Sequence, residues 1–180
     1  PIRGKDKTHL LTGYVHAAYP PVYSDLAKVS GFDSAVLVKG VEGGVSPALR
    51  GDGKVFYYYD NSEMQETKFN PKNISIEQNM RAVPLPELEK KEEIKLDEIS
   101  SDINVDDFSS KAVEIGIDAL NGKDGPAKDT LVYTGAITLS IIKNIDFNDA
   151  AVQIRKSIDS GKAKEFFYNA IWIIISKCLK

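Results

Sequence analysis

The sequence has few of the residues that would tie it to an oxidising compartment or to a metal. Among 180 residues there is one cysteine, Cys178, and there are two histidines, His9 and His16. A single cysteine excludes an intrachain disulfide, so we expect a cytoplasmic protein. No cysteine stands at a zinc-ligand spacing from either histidine, so we predict that they form no metal site.

Long apolar runs and charge of one sign are also scarce. The longest apolar run, residues 170–175, is far shorter than the roughly 18 residues that a membrane-spanning helix needs. We therefore predict no membrane span. The net charge is −3 and the pI about 5.5, so the chain offers no broad cationic field to a nucleic-acid backbone.

A methionine at the first position is also missing. The chain begins at Pro1, and no basic segment followed by an apolar one precedes the first predicted strand. We therefore expect it to be part of a longer protein. Its length and its composition, 42% hydrophobic and 27% charged, are otherwise typical of one folded domain.

The first part of the chain has the pattern of a βαβ unit. Residues 9–15 are apolar and predict a strand, and the segment from Pro20 to Gly31 predicts a helix with proline in its first turn and glycine at its end. Residues 34–39 form the nearly continuous apolar run of a strand buried on both faces. A further aromatic strand is predicted at 54–59.

Three segments follow from these patterns. Residues 1–83 form the βαβ-containing sheet portion, 84–107 an acidic connector, and 108–180 a set of helices packing on the same domain. Helix starts are predicted at Asp107, Pro126, Asp146 and Lys162. The predicted fold class is α/β, with a mixed, largely parallel sheet flanked by helices and with a C-terminal helical cluster.

A glycine-rich loop, residues 40–47, leaves the end of the second strand, where open α/β sheets usually bind ligands. Its glycines could let backbone amides approach a phosphate, or they could simply form a tight turn. The spacing matches neither the dinucleotide-binding pattern nor the Walker A pattern. The loop therefore predicts no particular nucleotide.

Other polar residues near the predicted strand ends have two interpretations. His16, just before the first helix, could be a hydrogen-bonding group in a cleft or a solvated histidine. Several basic residues could gather at the same edge and meet phosphate beside tyrosines such as Tyr14 and Tyr19, or they could be scattered surface charge. These basic residues are Arg3, Lys5, Lys7, Lys39 and Arg50.

Three stretches together resemble the C-terminal half of the anthranilate phosphoribosyltransferases, part of a larger glycosyltransferase and nucleoside phosphorylase group. The first is Pro1-Ile2 with residues 11–16, which resembles an Asn-Pro segment and a strand before a helix. The second runs from Leu26 to Gly40 as helix, strand and glycine. The third, residues 122–129, is similar to a Gly-x-x-Gly-Pro-Ala-x-Asp stretch that opens a long helix.

The resemblance implies a phosphoribosyl transfer from phosphoribosyl pyrophosphate to an aromatic amine, with Mg²⁺. It also implies a homodimeric parent whose helical N-terminal domain and glycine-rich donor loop lie outside this chain, so that we expect the chain alone to be inactive. The implied substrate-binding residues are Pro1, His16, Gly40, Glu42 and Gly43.

The sequence departs from the family at its metal-binding pair. The biosynthetic enzymes of the family carry an Asp-Glu pair in the loop after the second strand, whereas this chain has Gly44-Val45-Ser46 there and only the unpaired Glu42 nearby. One carboxylate neutralises less of a dication's charge than two, which argues against Mg²⁺ binding and against a role in tryptophan biosynthesis. The chain therefore resembles a divergent branch of the family. The alternative to a transferase is a non-catalytic paralogue that binds nucleic acid or protein.

Overall fold

The computed structural model describes residues 7–41, 44–84, 86 and 105–178, with backbone alone for 105–107 and 173–178. Pro1, Glu42, Gly43 and most of the predicted connector lie outside the described residues. The described part is a four-stranded mixed sheet that has a helix on one face and a helical cluster on the other.

The chain opens with the predicted βαβ unit. Strand β1 spans His9–Gly13, helix α1 Tyr19–Val29 and strand β2 Ser34–Val38. The two strands pair in parallel, with His9 beside Ser34 and Gly13 beside Val38. Gly31 adopts a φ of 84° just after α1, a conformation that favours glycine and ends the helix.

The remaining two strands run antiparallel. Strand β3 spans Gly53–Tyr58 and β4 Gln65–Phe69, and the sheet order is β1-β2-β3-β4. The α/β class and the mixed sheet are confirmed, but one strand pair alone is parallel, so the prediction of a largely parallel sheet is corrected. For β3 and β4 the reason is the connection: residues 59–64 are too few for the crossover that parallel strands need.

The second half of the described chain is helical. A short 3₁₀ helix, Pro71–Ile74, follows β4. Four α-helices come later: α2 Val105–Leu120, α3 Pro126–Lys143, α4 Phe147–Asp159 and α5 Lys162–Cys178. None of the described helices is both long enough and apolar enough to cross a membrane.

Three of the four predicted helix starts are confirmed. Asp146 caps α4, since its side chain accepts hydrogen bonds from the amides of Asn148 at 2.7 Å and Asp149 at 3.3 Å. The predicted start at Asp107 is wrong because α2 already begins at Val105. Asp107 thus falls within the first turn rather than before it.

The sheet separates two apolar clusters. Alternate residues of β2 point to opposite faces. Leu37 therefore packs with Ala27 of α1 and Tyr58 of β3, whereas Val36 and Val38 pack with α3 and α4. With all of β2 buried, the strand ends and the loops that follow them are the parts of this unit that can meet a ligand.

Candidate functional site

The loops after β1 and β2 lie side by side at one edge of the sheet. The parallel register sets Gly13 next to Val38 at the last pair of the two strands. Beyond it, the amide of Tyr14 donates to the Val38 carbonyl over 2.9 Å. We call this region, described at residues 14–18, 39–41 and 44–47, the C-terminal edge; it contains His16 and Gly40.

The glycine-rich loop is a tight turn that uses its own amides. The amide of Gly40 donates to the Val38 carbonyl, that of Val41 to Ser46 and that of Gly44 to Val41, each at 3.0 Å. A Cβ on Gly40 would collide with the Gly44 carbonyl, so only glycine fits there. These three amides are therefore already committed to the turn, which favours the structural interpretation for the described part of the loop.

His16 begins a row of aromatic rings along α1. It is exposed, and its ring centre lies 5.6 Å from that of Tyr19. Tyr19 in turn stacks on Tyr23 at 5.8 Å with 24° between the ring planes. The amide of Tyr19 donates to the His16 carbonyl at 3.0 Å, which fixes the backbone of His16 against the start of the helix. Tyr23 is half-buried against the core, so the exposed rings of the row beside the C-terminal edge are those of His16 and Tyr19.

Tyr14 is a packing residue rather than a stacking surface. Its ring is almost completely buried, in edge contact with Phe56 at 5.6 Å, and its hydroxyl donates to the Lys54 carbonyl at 3.4 Å. Burial raises the pKa of the Tyr14 hydroxyl above its ordinary value. Tyr14 thus joins the loop after β1 to the start of β3.

The five basic residues considered above do not all gather at the C-terminal edge. Lys39 directly follows β2 there and is exposed, and Arg50 is three residues beyond Pro47, which pairs with Gly40. Lys7, in contrast, precedes β1 and forms a 2.7 Å ion pair with Asp60 at the other end of the strands, which agrees for that residue with scattered surface charge. Arg3 and Lys5 lie outside the described residues.

The described residues do not form a metal site. No group of three or more His, Cys, Asp or Glu side chains within them is placed to hold an ion. Hard cations such as Mg²⁺ need several oxygen ligands. The carboxylate considered for this role, Glu42, lies outside the described part of the chain. The oxygen ligands that the described residues offer therefore do not fit Mg²⁺.

A charged cluster that the sequence did not reveal holds the turn between α2 and α3. The ammonium of Lys128 lies 3.1 Å from the Gly122 carbonyl, 3.1 Å from the Asp124 carboxylate and 3.0 Å from the Asp159 carboxylate. Gly122 and Asp124 were visible as a turn motif, but Asp159 is too distant in sequence for spacing to indicate it. The cluster joins the turn to the end of α4.

An open cavity lies beside that same turn. Its volume is about 350 Å³, and its walls are mainly apolar side chains such as Val83, Ile115 and Pro126. None of the residues that line it belongs to the C-terminal edge. The cavity is therefore a separate feature from the edge where the strand loops meet.

The sequence matches no protein-family model and none of the curated proteins. The structure is similar to anthranilate phosphoribosyltransferase from Saccharomyces cerevisiae in complex with 4-fluoroanthranilate, with a TM-score of 0.59 at 17% identity. The same enzyme in complex with PRPP and Mg gives a TM-score of 0.58, also at 17% identity. In both cases the similarity covers 88% of this chain and 40% of the enzyme chain.

The likeness in structure agrees with the resemblance found in the sequence. Since the chain spans about 40% of the length of those enzymes, it corresponds to a portion of their architecture. At this identity the similarity establishes a shared fold. The chain has the fold of a portion of the anthranilate phosphoribosyltransferases, consistent with their C-terminal half.

Proposed function

We propose that this chain is a portion of a phosphoribosyl transferase that uses phosphoribosyl pyrophosphate as its donor. The observation that carries the proposal is the fold similarity to the yeast enzyme in complex with PRPP and Mg. The C-terminal edge supports it, because open α/β sheets bind ligands in the crevice beyond the carboxyl ends of their strands.

The exposed groups at this edge suit an anionic ligand. Lys39 places an ammonium group beside the loop, and a phosphate-bearing donor gains from charge-assisted hydrogen bonds to such a cation. The exposed ring of His16 can offer a further hydrogen bond. Gly40 acts through the backbone, since it keeps the loop folded against β2. Pro1, Glu42 and Gly43 stay predicted substrate-binding residues.

The described groups are too few to hold the donor alone. Three amides of the glycine-rich loop are used within the turn, and the described residues contain no metal-binding cluster. We infer that the remaining donor-binding groups, and any Mg²⁺ ligands, come from the rest of a longer parent. The chain by itself would then be inactive, and a homodimeric parent remains a prediction.

A second candidate function is a non-catalytic module that binds nucleic acid or protein. The neighbouring rings of His16 and Tyr19 support it, because successive bases of a single strand stack on exposed aromatic rings. The net charge of −3 weighs against it, since such proteins usually track the phosphates with a basic groove.

The test is turnover by the full-length protein, with PRPP, Mg²⁺ and anthranilate or another aromatic amine as acceptor. We expect PRPP consumption and a phosphoribosylated product, both followed by chromatography. Lys39→Ala should raise the KM for PRPP about tenfold through the loss of one charge-assisted contact. Lys156→Ala, on the exposed side of α4, is the matched control and should leave the KM unchanged.

Two results would separate the candidates. If PRPP is not consumed with any aromatic amine while a single-stranded oligonucleotide binds and Tyr19→Ala weakens that binding, the second function replaces the first. If KM values for PRPP are the same in the Lys39→Ala and Lys156→Ala variants, the C-terminal edge is not where the donor binds.

A further inference from the structure

Strand β1 is an edge strand with an unusual sequence for that position. Among the described residues it has a hydrogen-bonded neighbour on one side only, β2. Its five residues, His9–Gly13, include no acidic residue, no lysine or arginine and no proline. Free edges in native proteins normally carry such residues because an unprotected edge pairs with other chains.

The edge strand on the other side of the sheet, β4, carries the charged residues that usually prevent pairing with other chains. Strand β4 carries Glu66 and Lys68, both exposed, and Glu66 forms a 2.8 Å ion pair with Lys54 of β3. The contrast between the two edges indicates that β4 faces water and that β1 is adapted to a neighbouring strand. Parallel strands such as β1 also tend to be covered on both faces.

Helix α1 carries an apolar ridge along its exposed side. Tyr19, Val22, Leu26 and Val29 follow one another at spacings of three, four and three residues, which aligns them on one face. We call these four residues the α1 ridge. All are exposed, Val22 at 60%, Leu26 at 61% and Val29 at 87%. Such a ridge is the surface on which a second helix packs.

The α1 ridge faces away from the side of the sheet formed by β3 and β4. The ammonium of Lys28 donates to the Ser62 carbonyl at 2.7 Å and lies over the Tyr58 ring at 4.9 Å, so this side of α1 points towards β3. Residues two apart on a helix point in nearly opposite directions, since each residue turns by roughly 100°. Leu26 therefore points away from β3, towards the side of the sheet on which β1 lies.

We infer that the free edge of β1 and the α1 ridge form one docking surface for a strand-and-helix segment. The strand would pair with β1, and an amphipathic helix would pack on the ridge above it. The length of the structural relatives supports this occupant, because 60% of those chains has no counterpart here. The inference rests on the proposed function, since that function requires a longer parent to supply the segment.

The test compares two valines of equal exposure in two proteins. Val22 of the ridge is 60% exposed and Val152 of α4 is 62% exposed, and both lie within a helix. Each is replaced by lysine in the 180-residue chain and in the full-length protein. In the full-length protein, Val22→Lys should lower the Tm by at least about 5 °C, because a buried ridge cannot solvate the new charge. Val152→Lys should leave it unchanged.

In the 180-residue chain neither substitution should change the Tm, which also shows that Val22→Lys folds. Amide exchange along β1 should be slower in the full-length protein than in the chain alone. Equal effects of the two substitutions in the full-length protein would overturn the inference. So would a dimer of the chain that Val22→Lys dissociates, because a second copy would then cover the ridge. Neither readout requires PRPP, so each separates this inference from the transferase proposal.

Discussion

Replacing Lys128 by methionine isolates the contribution of the cluster at the α2–α3 turn. The side chain of Lys128 is only 14% exposed, and its ammonium contacts three oxygens on two separate segments, Gly122 and Asp124 on the turn and Asp159 at the end of α4. Methionine keeps most of the apolar stem and removes the charge. The loss should therefore report the ammonium contacts rather than packing.

The expected loss of stability is about 1–2 kcal/mol. The Asp124 carboxylate is 95% exposed, so its ion pair with Lys128 contributes little. The contacts to Asp159 and to the Gly122 carbonyl are made by a side chain that is mostly covered along its length, and a hydrogen bond to a charged group contributes about 1.5–3 kcal/mol when it is shielded from water. Half-exposed Asp159 lowers that figure to the range given. For a chain of this size the Tm should fall by roughly 2–8 °C.

The effect should also depend on pH with a defined sign. The hydrogen bond to Asp159, and next that to Asp124, raise the pKa of Lys128 above its ordinary 10.5 in the folded state. The stabilisation is therefore complete below pH 10.5 and is lost as the pH rises through the higher folded-state value. The Tm difference between wild type and Lys128→Met, measured by calorimetry, should be constant near neutrality and shrink above pH 10.5.

Lys123→Met is the matched control for this experiment. Lys123 pairs with Asp118 at 2.7 Å on the same turn, but its side chain is 72% exposed. We expect no measurable change in Tm. If Lys128→Met unfolds at the wild-type temperature, or if both substitutions lower the Tm equally, the Lys128 cluster does not stabilise the turn.

Two further sets of substitutions test the packing. Gly40→Ala should destabilise the protein by about 1–3 kcal/mol in urea unfolding, because its Cβ collides with the Gly44 carbonyl. Gly116→Ala, in the interior of α2 with open space around its Cβ, should instead stabilise by about 0.5–1 kcal/mol; the reverse order would contradict the loop geometry. Tyr133→Phe should cost about 1–2 kcal/mol, because it removes the 2.9 Å hydrogen bond to the Phe69 carbonyl at the half-buried end of β4. An unchanged unfolding midpoint would show that this carbonyl finds another donor.

Much of the fold could be predicted from local pattern. The apolar run of β2 and the glycine after α1 predicted the βαβ unit, and the residues at Pro126 and Asp146 predicted two helix starts. These signals are local, because each depends on a few neighbouring residues. The direction of β3 is not local. It depends on how the loop after β2 folds back, through the pairing of Gly40 with Pro47.

The site could be predicted less well because it depends on contacts distant in sequence. The glycine-rich loop was visible, but its spacing could not tell whether its amides were free, and three of them prove to be used within the turn. One interpretation of the sequence set Lys7 beside Lys39, because both are basic and near strand ends. Lys7 precedes β1, whereas Lys39 follows β2. Because the two strands are parallel, these positions lie at opposite ends of the strands.

The most direct test of the central claim is a calorimetric titration of PRPP with Mg²⁺ into the full-length protein and into the 180-residue chain. The claim is that this chain supplies part of a donor site that the rest of the parent completes. It predicts binding to the full-length protein, about tenfold weaker binding to its Lys39→Ala variant, and no binding to the chain alone. Tight binding to the chain alone, or none to the full-length protein, would contradict it.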